Sequence, residues 1–397
     1  MSLLMTKGVY IVAAKRTPFG AFGGSLKKLT AVDLSVIASE QACTASGIDP
    51  TTIDAAYVGN VVASGNDAAY LARHVALRTG CNIDTPSLTL NRLCGSGFET
   101  IIQACKSILL GEAQMVLTGG TEQMSQAPFM VRGDKVRWGS GPLGSNMTLE
   151  DSLWAGLTDA HAKTPMGVTA ENLGQKYNIT REECDAYAVQ SQQRHAAAVA
   201  AGKMDGELAP VTLQTRKGEV TFNNDEHARA ETTVEGIGKL KSVFQKDGLV
   251  TAATASGICD GAGAVLVASE EAVKLHNLTP LCRIVSTSVT GVPPEIMGIG
   301  PVSAIRNALS IADVGQDELD VVEINEAFAA QVLSCQKELE LDNAVLNPDG
   351  GAIALGHPLG ASGSRIAAHL AHGGHKKSIG AACIGGGQGI AVLLEGC

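Results

Sequence analysis

The sequence predicts an α/β fold built from two similar halves, the first of which carries an insertion. Three observations predict it. Short apolar segments alternate with helical patterns, several segments repeat at a constant offset, and the composition suits a well-buried, loop-rich enzyme. The chain has 397 residues, 45% hydrophobic and 18% charged, with 46 glycines and only 4% aromatic residues. That length holds two or three packed domains or one large α/β unit, and the balance is neither fibrous nor disordered.

Along the chain, VYIVAA (9–14), MVLT (115–118), AVLVA (264–268) and GIAVLL (389–394) have the length and composition of strands. Near-continuous apolar runs are expected where a sheet is covered on both faces, so mainly parallel strands are expected. Phe98, Ile101, Ile102, Cys105, Ile108 and Leu109 recur at i, i+3, i+4 spacing and mark a helix. At an offset of 266 residues, IDAAYVGN (53–60) falls on LDVVEINE (319–326), LCGSGFETI (93–101) on LGASGSRIA (359–367), and MVLTGG (115–120) on AACIGG (381–386). Both copies run strand, loop, small-residue turn opening a helix, strand, Gly-Gly. Two such halves packed face to face are the economical arrangement. Residues 126–252 have no counterpart; they are richer in charge, Gly, Thr and Pro, and hold a helix-like stretch at 181–201. They form an insertion lying over one half, where substrate-shaping loops tend to sit. The expected division is therefore 1–125 for the first half, completed by about 253–276, with 126–252 inserted and 277–397 as the second half.

A net charge of −10 argues against a general nucleic-acid or anionic-membrane surface. No apolar run reaches the roughly 18 residues of a spanning helix. The ten cysteines are scattered without a CxxC pair, which favours a reducing compartment over a disulfide scaffold. The N-terminal segment lacks a secretory apolar core, and the ending LLEGC is not a peroxisomal SKL-type address.

Four segments could carry chemistry. In NRLCGSGF (91–98), Cys94 precedes a Gly-Ser-Gly turn at a helix start, where free N–H groups and the helix dipole favour a thiolate. A buried structural cysteine is the commoner use of that position. In GGAIALGHPLGASGSR (350–365), His357 is the one titratable group of a glycine-flanked loop, which suits a base presented to substrate; a plain surface histidine is the alternative. In AACIGGGQG (381–389), Cys383 ends an apolar strand and the glycines expose N–H groups able to bind an oxyanion. In VVEINEAFA (321–329), a strand delivers Asn325 and Glu326 to its C-terminal end, the edge where α/β sheets place ligands, unless Asn325 merely caps a helix. His369, His372 and His375 lack an acidic or cysteine partner nearby in sequence, so an exposed helix end is expected rather than a metal site. Arg229, in DEHAR (225–229), offers a cation for a phosphate or adenine face.

Together with AAKRTPFG (13–20), GGTEQMSQAP (119–128) and LEDSLW (149–154), these motifs resemble the thiolase family over nearly the whole chain, and its degradative, mitochondrial branch in particular. The resemblance implies a duplicated five-layered αβαβα fold with a loop domain inserted in the N-terminal half. It implies Cys94 as the acylated nucleophile, His357 as its base and Cys383 as a second, acid/base cysteine. Asn325 would fix a water in an oxyanion hole shared with His357, and the N–H groups of Cys94 and Gly385 would form a second hole. For coenzyme A, a co-substrate rather than a tightly bound cofactor, it implies Arg229, Thr232 and Ser256, with Leu157, Ala327 and Phe328 along the pantetheine arm. The implied partners are 3-ketoacyl-CoA, CoA and acetyl-CoA, in a homodimer or homotetramer of the mitochondrial matrix, with the cytoplasm as alternative. Two positions depart from the family: Pro165-Met166-Gly167 stands where biosynthetic thiolases carry His-Met-Gly, and Thr254 stands where Asn is usual. An acetoacetyl-CoA-specific acetyltransferase and an inactive acyl-CoA binder remain as alternatives. A ketoacyl synthase would carry His at Cys383, and a cysteine hydrolase would release free acid.

Overall fold

The computed structural model describes residues 1–136 and 148–397, so part of the expected insertion, 137–147, lies outside the described residues. The main sheet runs Val321–Ile324, Lys377–Ile384, Gln388–Gly396, Cys282–Gly291, Val9–Arg16, Cys259–Ser269, Met115–Gln123, Ala55–Gly59, Ser87–Leu90. The two halves join at Cys282–Gly291 and Val9–Arg16 through only two residue pairs, Cys282 with Ile11 and Arg283 with Tyr10. At that thin seam the sheet folds round two helices, Ser96–Leu110 and Ser362–His372.

Strand alternation explains the layers. In Cys259–Ser269, Val265 and Val267 face the central helices, while Ala264, Leu266 and Ala268 face the outer helices Ala31–Ser46 and Leu71–Thr79. In Gln388–Gly396, Ile390, Val392 and Leu394 join Phe98, Ile101 and Ile366 in the central core. Their neighbours Ala391 and Leu393 turn to the outer helices Gly300–Ala312 and Ala329–Leu339. With a period of two, each strand feeds two cores, and the order is helix, sheet, helix, sheet, helix. Five layers result.

The expectation of mainly parallel strands is corrected. Ala55–Gly59 runs parallel to Ser87–Leu90 and to Met115–Gln123, and Val321–Ile324 parallel to Lys377–Ile384. The inner strands of both halves pair antiparallel. Continuous apolar sequence reports that both faces are covered, not which way the neighbours run.

The halves are related as the offset predicts, with one shift. Gly97 and Gly363, 266 residues apart, pack reciprocally: an added Cβ would sit 2.4 Å from Ser364 N in one case and 2.3 Å from Phe98 N in the other. The third match is out of register, however. Val58 pairs with Gly119, whereas its counterpart Ile324 pairs with Ala381, an offset of 262. The second central helix is 11 residues against 15, about one turn shorter, which accounts for the slip of four.

From the 126–252 region, helices Met166–Tyr177 and Arg181–Ala200 bury Leu173, Cys184 and Tyr187 in the C-terminal half's core, beside Ile305 and Val322. A buried ionic network ties the same region to both halves. Arg16, fully buried, donates to Glu207 at 2.5 Å and to Asp225 at 2.7 and 3.1 Å. His369 bridges Glu207 at 2.7 Å and Asp349 at 3.2 Å, and Lys203 meets Asp349 at 2.6 Å. His369 is therefore buried and paired rather than exposed, because its acidic partners come from distant sequence. Despite the cost of burial, those two carboxylates raise its pKa to about 10. Among the described residues no group of side chains has the makings of a metal site.

Candidate active site

Cys94 sits in the turn Leu93–Gly95 that opens the first central helix. Asn91 shapes this turn, its Oδ1 accepting from Leu93 N–H at 2.9 Å, while Ser96 Oγ donates to Leu93 O at 2.7 Å. Leu93 is held at φ 47°, a left-handed conformation that costs a branched residue of order 1–3 kcal/mol and persists only where the surroundings enforce it. Gly95 lets the turn approach the opposite half: a Cβ there would lie 2.5 Å from Ile384 Cδ1. Burial pushes the Cys94 thiol up to about 11, although the N–H groups of Gly385 and Cys94 itself bond the sulfur. The thiolate favoured by a helix start is thus not the resting form; burial outweighs the dipole, and a base is needed.

His357 lines the same cavity as Cys94. Its backbone N–H donates to Gly257 O at 2.8 Å, Nδ1 lies 2.5 Å from Ser362 Oγ, and Nε2 lies 3.4 Å from Asn325 Nδ2. Ser362 Oγ can donate to Pro358 O at 3.3 Å, so it accepts from Nδ1–H and leaves Nε2 as the acceptor, turned to the Asn325 amide. Burial and the charge of Arg365 lower the ring's pKa to about 3, so it is a neutral acceptor at physiological pH. Ser362 was not singled out in the sequence. Its place five residues after His357, in a turn that opens a helix, was the available signal.

Asn325, fully buried at the end of Val321–Ile324, keeps Oδ1 without a hydrogen-bond partner. Its neighbour Glu326 accepts from Tyr187, Ser191, Asn347 and Ile353 N–H at 2.6–3.2 Å, clamping the Arg181–Ala200 helix to the segment before His357. Cys383 is buried against Met297, Ala327, Met166 and Phe328; burial and the nearby Cys94 push its thiol well above the usual range.

Cys94, His357, Leu157, Ser256, Ala327 and Phe328 line one cavity of about 170 Å³, walled by Trp154 stacked on Phe244 at 6.4 Å. Arg229 and Thr232 are not in that wall. They share an exposed turn in which Thr232 Oγ1 donates to Arg229 O at 2.7 Å. His227, two residues earlier, packs on Gly257 of the wall, where a Cβ would lie 2.3 Å from its ring, so the turn flanks the cavity. Thr254 is buried, accepting from Thr251 N–H and donating to Leu249 O at 2.8 Å each; it closes the 249–254 loop. Pro165 heads the helix Met166–Tyr177 in the cavity wall. A larger cavity of about 570 Å³, beside His195 and Asp225, holds none of the predicted site residues.

Residues 9–271 match the family model for the thiolase N-terminal domain, and residues 278–396 that for the C-terminal domain. The chain belongs to the thiolase family. It is similar to mitochondrial 3-ketoacyl-CoA thiolase of Mus musculus, 57% identical over 397 residues with 99% of each chain covered. Acetyl-CoA acetyltransferase of Pseudomonas aeruginosa is 44% identical, with 97% of this chain and 98% of the relative covered. The crystal structure of human mitochondrial 3-ketoacyl-CoA thiolase superposes with a TM-score of 0.97 at 56% identity, covering 99% of this chain and 100% of that one. A structure of the human enzyme in complex with CoA gives 0.96, covering 100% and 99%. Thiolases are acyltransferases, and in this one Cys94 and His357 line one cavity, with the Asn325 amide 3.4 Å from the His357 ring and Cys383 packed against Met166, Met297, Ala327 and Phe328 of its wall.

Proposed function

We propose that this thiolase cleaves 3-ketoacyl-CoA with free CoA, through an acyl group carried on Cys94, as a step of fatty acid β-oxidation. The observation that carries the reading is a neutral, buried His357 sharing an apolar cavity with Cys94, with Asn325 and Cys383 adjoining. His357 Nε2 takes the Cys94 proton as sulfur attacks the 3-keto carbon. The N–H groups of Cys94 and Gly385, already directed at the sulfur, stabilise the tetrahedral oxyanion. Collapse restores the carbonyl on the new thioester and breaks C2–C3. The electron pair leaves as the acetyl-CoA enolate, stabilised by His357 and by a water held at Asn325, and Cys383 protonates C2. The Cys383 thiolate then deprotonates CoA, whose sulfur displaces the acyl group. Cys94 recovers its proton from His357.

In reverse, the same site condenses two acetyl-CoA molecules, the reaction class named for the 44% identical relative. Arg229, Thr232 and Ser256 would hold the coenzyme, and Leu157, Ala327 and Phe328 its arm. We infer that residues 126–252 are the inserted domain, since their two long helices pack into the C-terminal half's core and Met166 and Gly167, at the start of the first, line the cavity. A mitochondrial matrix location is consistent with the mouse and human relatives' names. Leu88, half-exposed on the edge strand Ser87–Leu90, suits a homo-oligomeric contact.

The decisive experiment is thiolysis of 3-ketoacyl-CoAs of graded chain length, with mass detection of the acylated peptide. Acyl on the Cys94 peptide, discharged only when CoA is added, supports this function. Free acid without CoA means a hydrolase, binding without turnover means an inactive homologue, and activity confined to acetoacetyl-CoA selects the acetyltransferase.

A further inference from the structure

Met115–Gln123 is buried along its whole length, yet it carries a carboxylate, Glu122, that has no place in the reaction just described. No cation pairs with it among the described residues. Four N–H donors surround it instead, two to each oxygen. Oε1 accepts from Asn60 Nδ2 at 3.1 Å and Val62 N–H at 2.8 Å. Oε2 accepts from Val61 N–H at 3.2 Å and Gly360 N–H at 2.8 Å.

These donors lead to the two reacting groups. Val61 O accepts from Asn91 Nδ2 at 3.2 Å, and Asn91 in turn holds Leu93, the residue before the nucleophile. Gly360 lies between His357 and Ser362, in the loop that carries and orients the base. That loop is packed without slack: a Cβ on Gly120 would lie 1.8 Å from Gly360 O, and one on Gly97 would lie 3.0 Å from it. Cys94 belongs to one half of the duplicated fold and His357 to the other. Glu122 is the polar group bonded to both sides.

We propose that Glu122 is a positioning residue of the reaction, its carboxylate locking the Asn60–Val62 segment under the Cys94 turn to the His357–Ser362 loop. It acts through these segments and touches no reacting atom. Its shape requirement is strict, because all four partners donate. Glutamine has nearly the same volume, but whichever way its amide turns, the NH₂ faces two N–H donors: either Asn60 and Val62, or Val61 and Gly360, lose their acceptor. A displacement of about 1 Å at a reacting group can cost a hundredfold in rate.

The same arrangement makes the lock sensitive to protons. Burial, with Asp260 on the adjacent strand opposing the charge, raises the Glu122 pKa to about 7, against the pull of the Val62, Gly360 and Val61 N–H groups. Cys94 is the other titratable group facing it, and the Glu122 charge holds that thiol up. With His357 near 3 and Cys94 near 11, Glu122 is the group among these whose titration falls at neutrality.

The inference rests on Cys94 and His357 being nucleophile and base, and the test separates the two. Single-turnover acylation of the full-length protein by a 3-ketoacyl-CoA is followed by mass of the Cys94 peptide, with steady-state kcat and KM, from pH 5.5 to 8.5. Wild-type acylation is expected to fall as one proton is taken up near pH 7. In Glu122→Gln, kcat and acylation are expected to drop between about tenfold and a hundredfold. KM for both substrates should stay within a factor of three, and the limb near pH 7 should vanish. Glu122→Asp, which keeps the charge one methylene short, should keep the limb at a reduced rate. A wild-type profile flat across pH 6–8 overturns the proposal even if neither variant folds. So does a Glu122→Gln enzyme within twofold of wild type, or one whose loss matches only its unfolded fraction. If wild type leaves no acyl on Cys94, the nucleophile assignment fails instead.

Discussion

The turn around Cys94 and its counterpart 266 residues later have the same backbone plan and opposite duties. Leu93-Cys94-Gly95-Ser96-Gly97 matches Leu359-Gly360-Ala361-Ser362-Gly363, each opening a central helix. In the first copy Ser96 closes its own turn through Leu93 O, so the turn is rigid and presents a sulfur. In the second copy the matching Ser362 is turned to His357, and the position of Cys94 is a glycine that accommodates the neighbouring loops. The position matching His357 in the first copy is Asn91, which supports Leu93 instead of facing the cavity. In the mechanism we propose, one copy holds the nucleophile and the other the base. Duplication gave two equivalent helix starts meeting at their N-termini, and a few substitutions divided the work.

The comparison breaks first at the sulfur itself. Cys94→Ser is expected to lower thiolysis more than roughly a thousandfold and to leave no acyl peptide, since a hydroxyl beside a neutral histidine is a far poorer nucleophile. Cys383→Ser should still acylate Cys94 in a single turnover while multiple turnovers stop, because the proton for C2 and the base for CoA are lost. Normal steady-state activity in Cys94→Ser would remove the assignment altogether.

The two serines sharpen it next. Ser362→Ala leaves the His357 ring free to take the wrong tautomer, and a fall in kcat on the order of 10² is expected with little change in KM. Ser96→Ala loses bonds to Leu93 O and Arg92 N–H, which is expected to cost about 1 kcal/mol of stability and only a few-fold in rate. Equal kinetic losses in the two variants, with equal shifts in denaturant midpoint, would mean that the copies had not diverged as described.

His369 tests what keeps the halves together. Replacing it by Gln removes the cation that Glu207 and Asp349 share, leaving each with its remaining partner, Arg16 and Lys203, and a loss of about 2 kcal/mol in unfolding free energy is expected by denaturant titration. Its folded pKa, about 10, lies above the ordinary 6.5, so its contribution is complete below pH 6.5 and lost as pH rises through 10. Wild-type stability should therefore decline across that alkaline window, and the variant's should decline less. A pH-independent difference between the two would detach the effect from the histidine's charge.

Much of this was legible in the sequence, for physical reasons that differ by residue. Cys94, His357 and Asn325 lie in glycine-rich or strand-end segments whose local pattern has no cheaper explanation together, and the offset repeat placed them at matching ends. Doubly covered sheets followed from apolar runs of strand length, and the five layers from the family resemblance. Strand direction did not, since a strand buried on both faces looks alike whichever way its neighbours run. His369 read as exposed because Glu207 and Asp349 are over 160 residues before it and 20 before it in sequence. The Gly-Gly match hid a helix one turn shorter, because glycine pairs are common in this chain. Glu122 carried a weak signal, a charge within an apolar strand, but its four donors come from two other segments.

The smallest expected effect falls on Asn91, the first copy's answer to His357. Asn91→Ala removes the acceptor for Leu93 N–H and the donor to Val61 O, two exposed-side hydrogen bonds worth about 1 kcal/mol between them. Leu93 would then hold φ 47° with less support, and the Cys94 turn would sample relaxed geometries in which the sulfur is off line. Acylation should slow by about twofold, since 1.4 kcal/mol would be a factor of ten and only part of this smaller loss falls on the reacting sulfur. Discharge to CoA should slow by the same factor, because both steps pass through a tetrahedral centre on that sulfur. If only discharge slowed, Asn91 would be acting on the coenzyme rather than on the turn, and the first copy would hold more than the nucleophile.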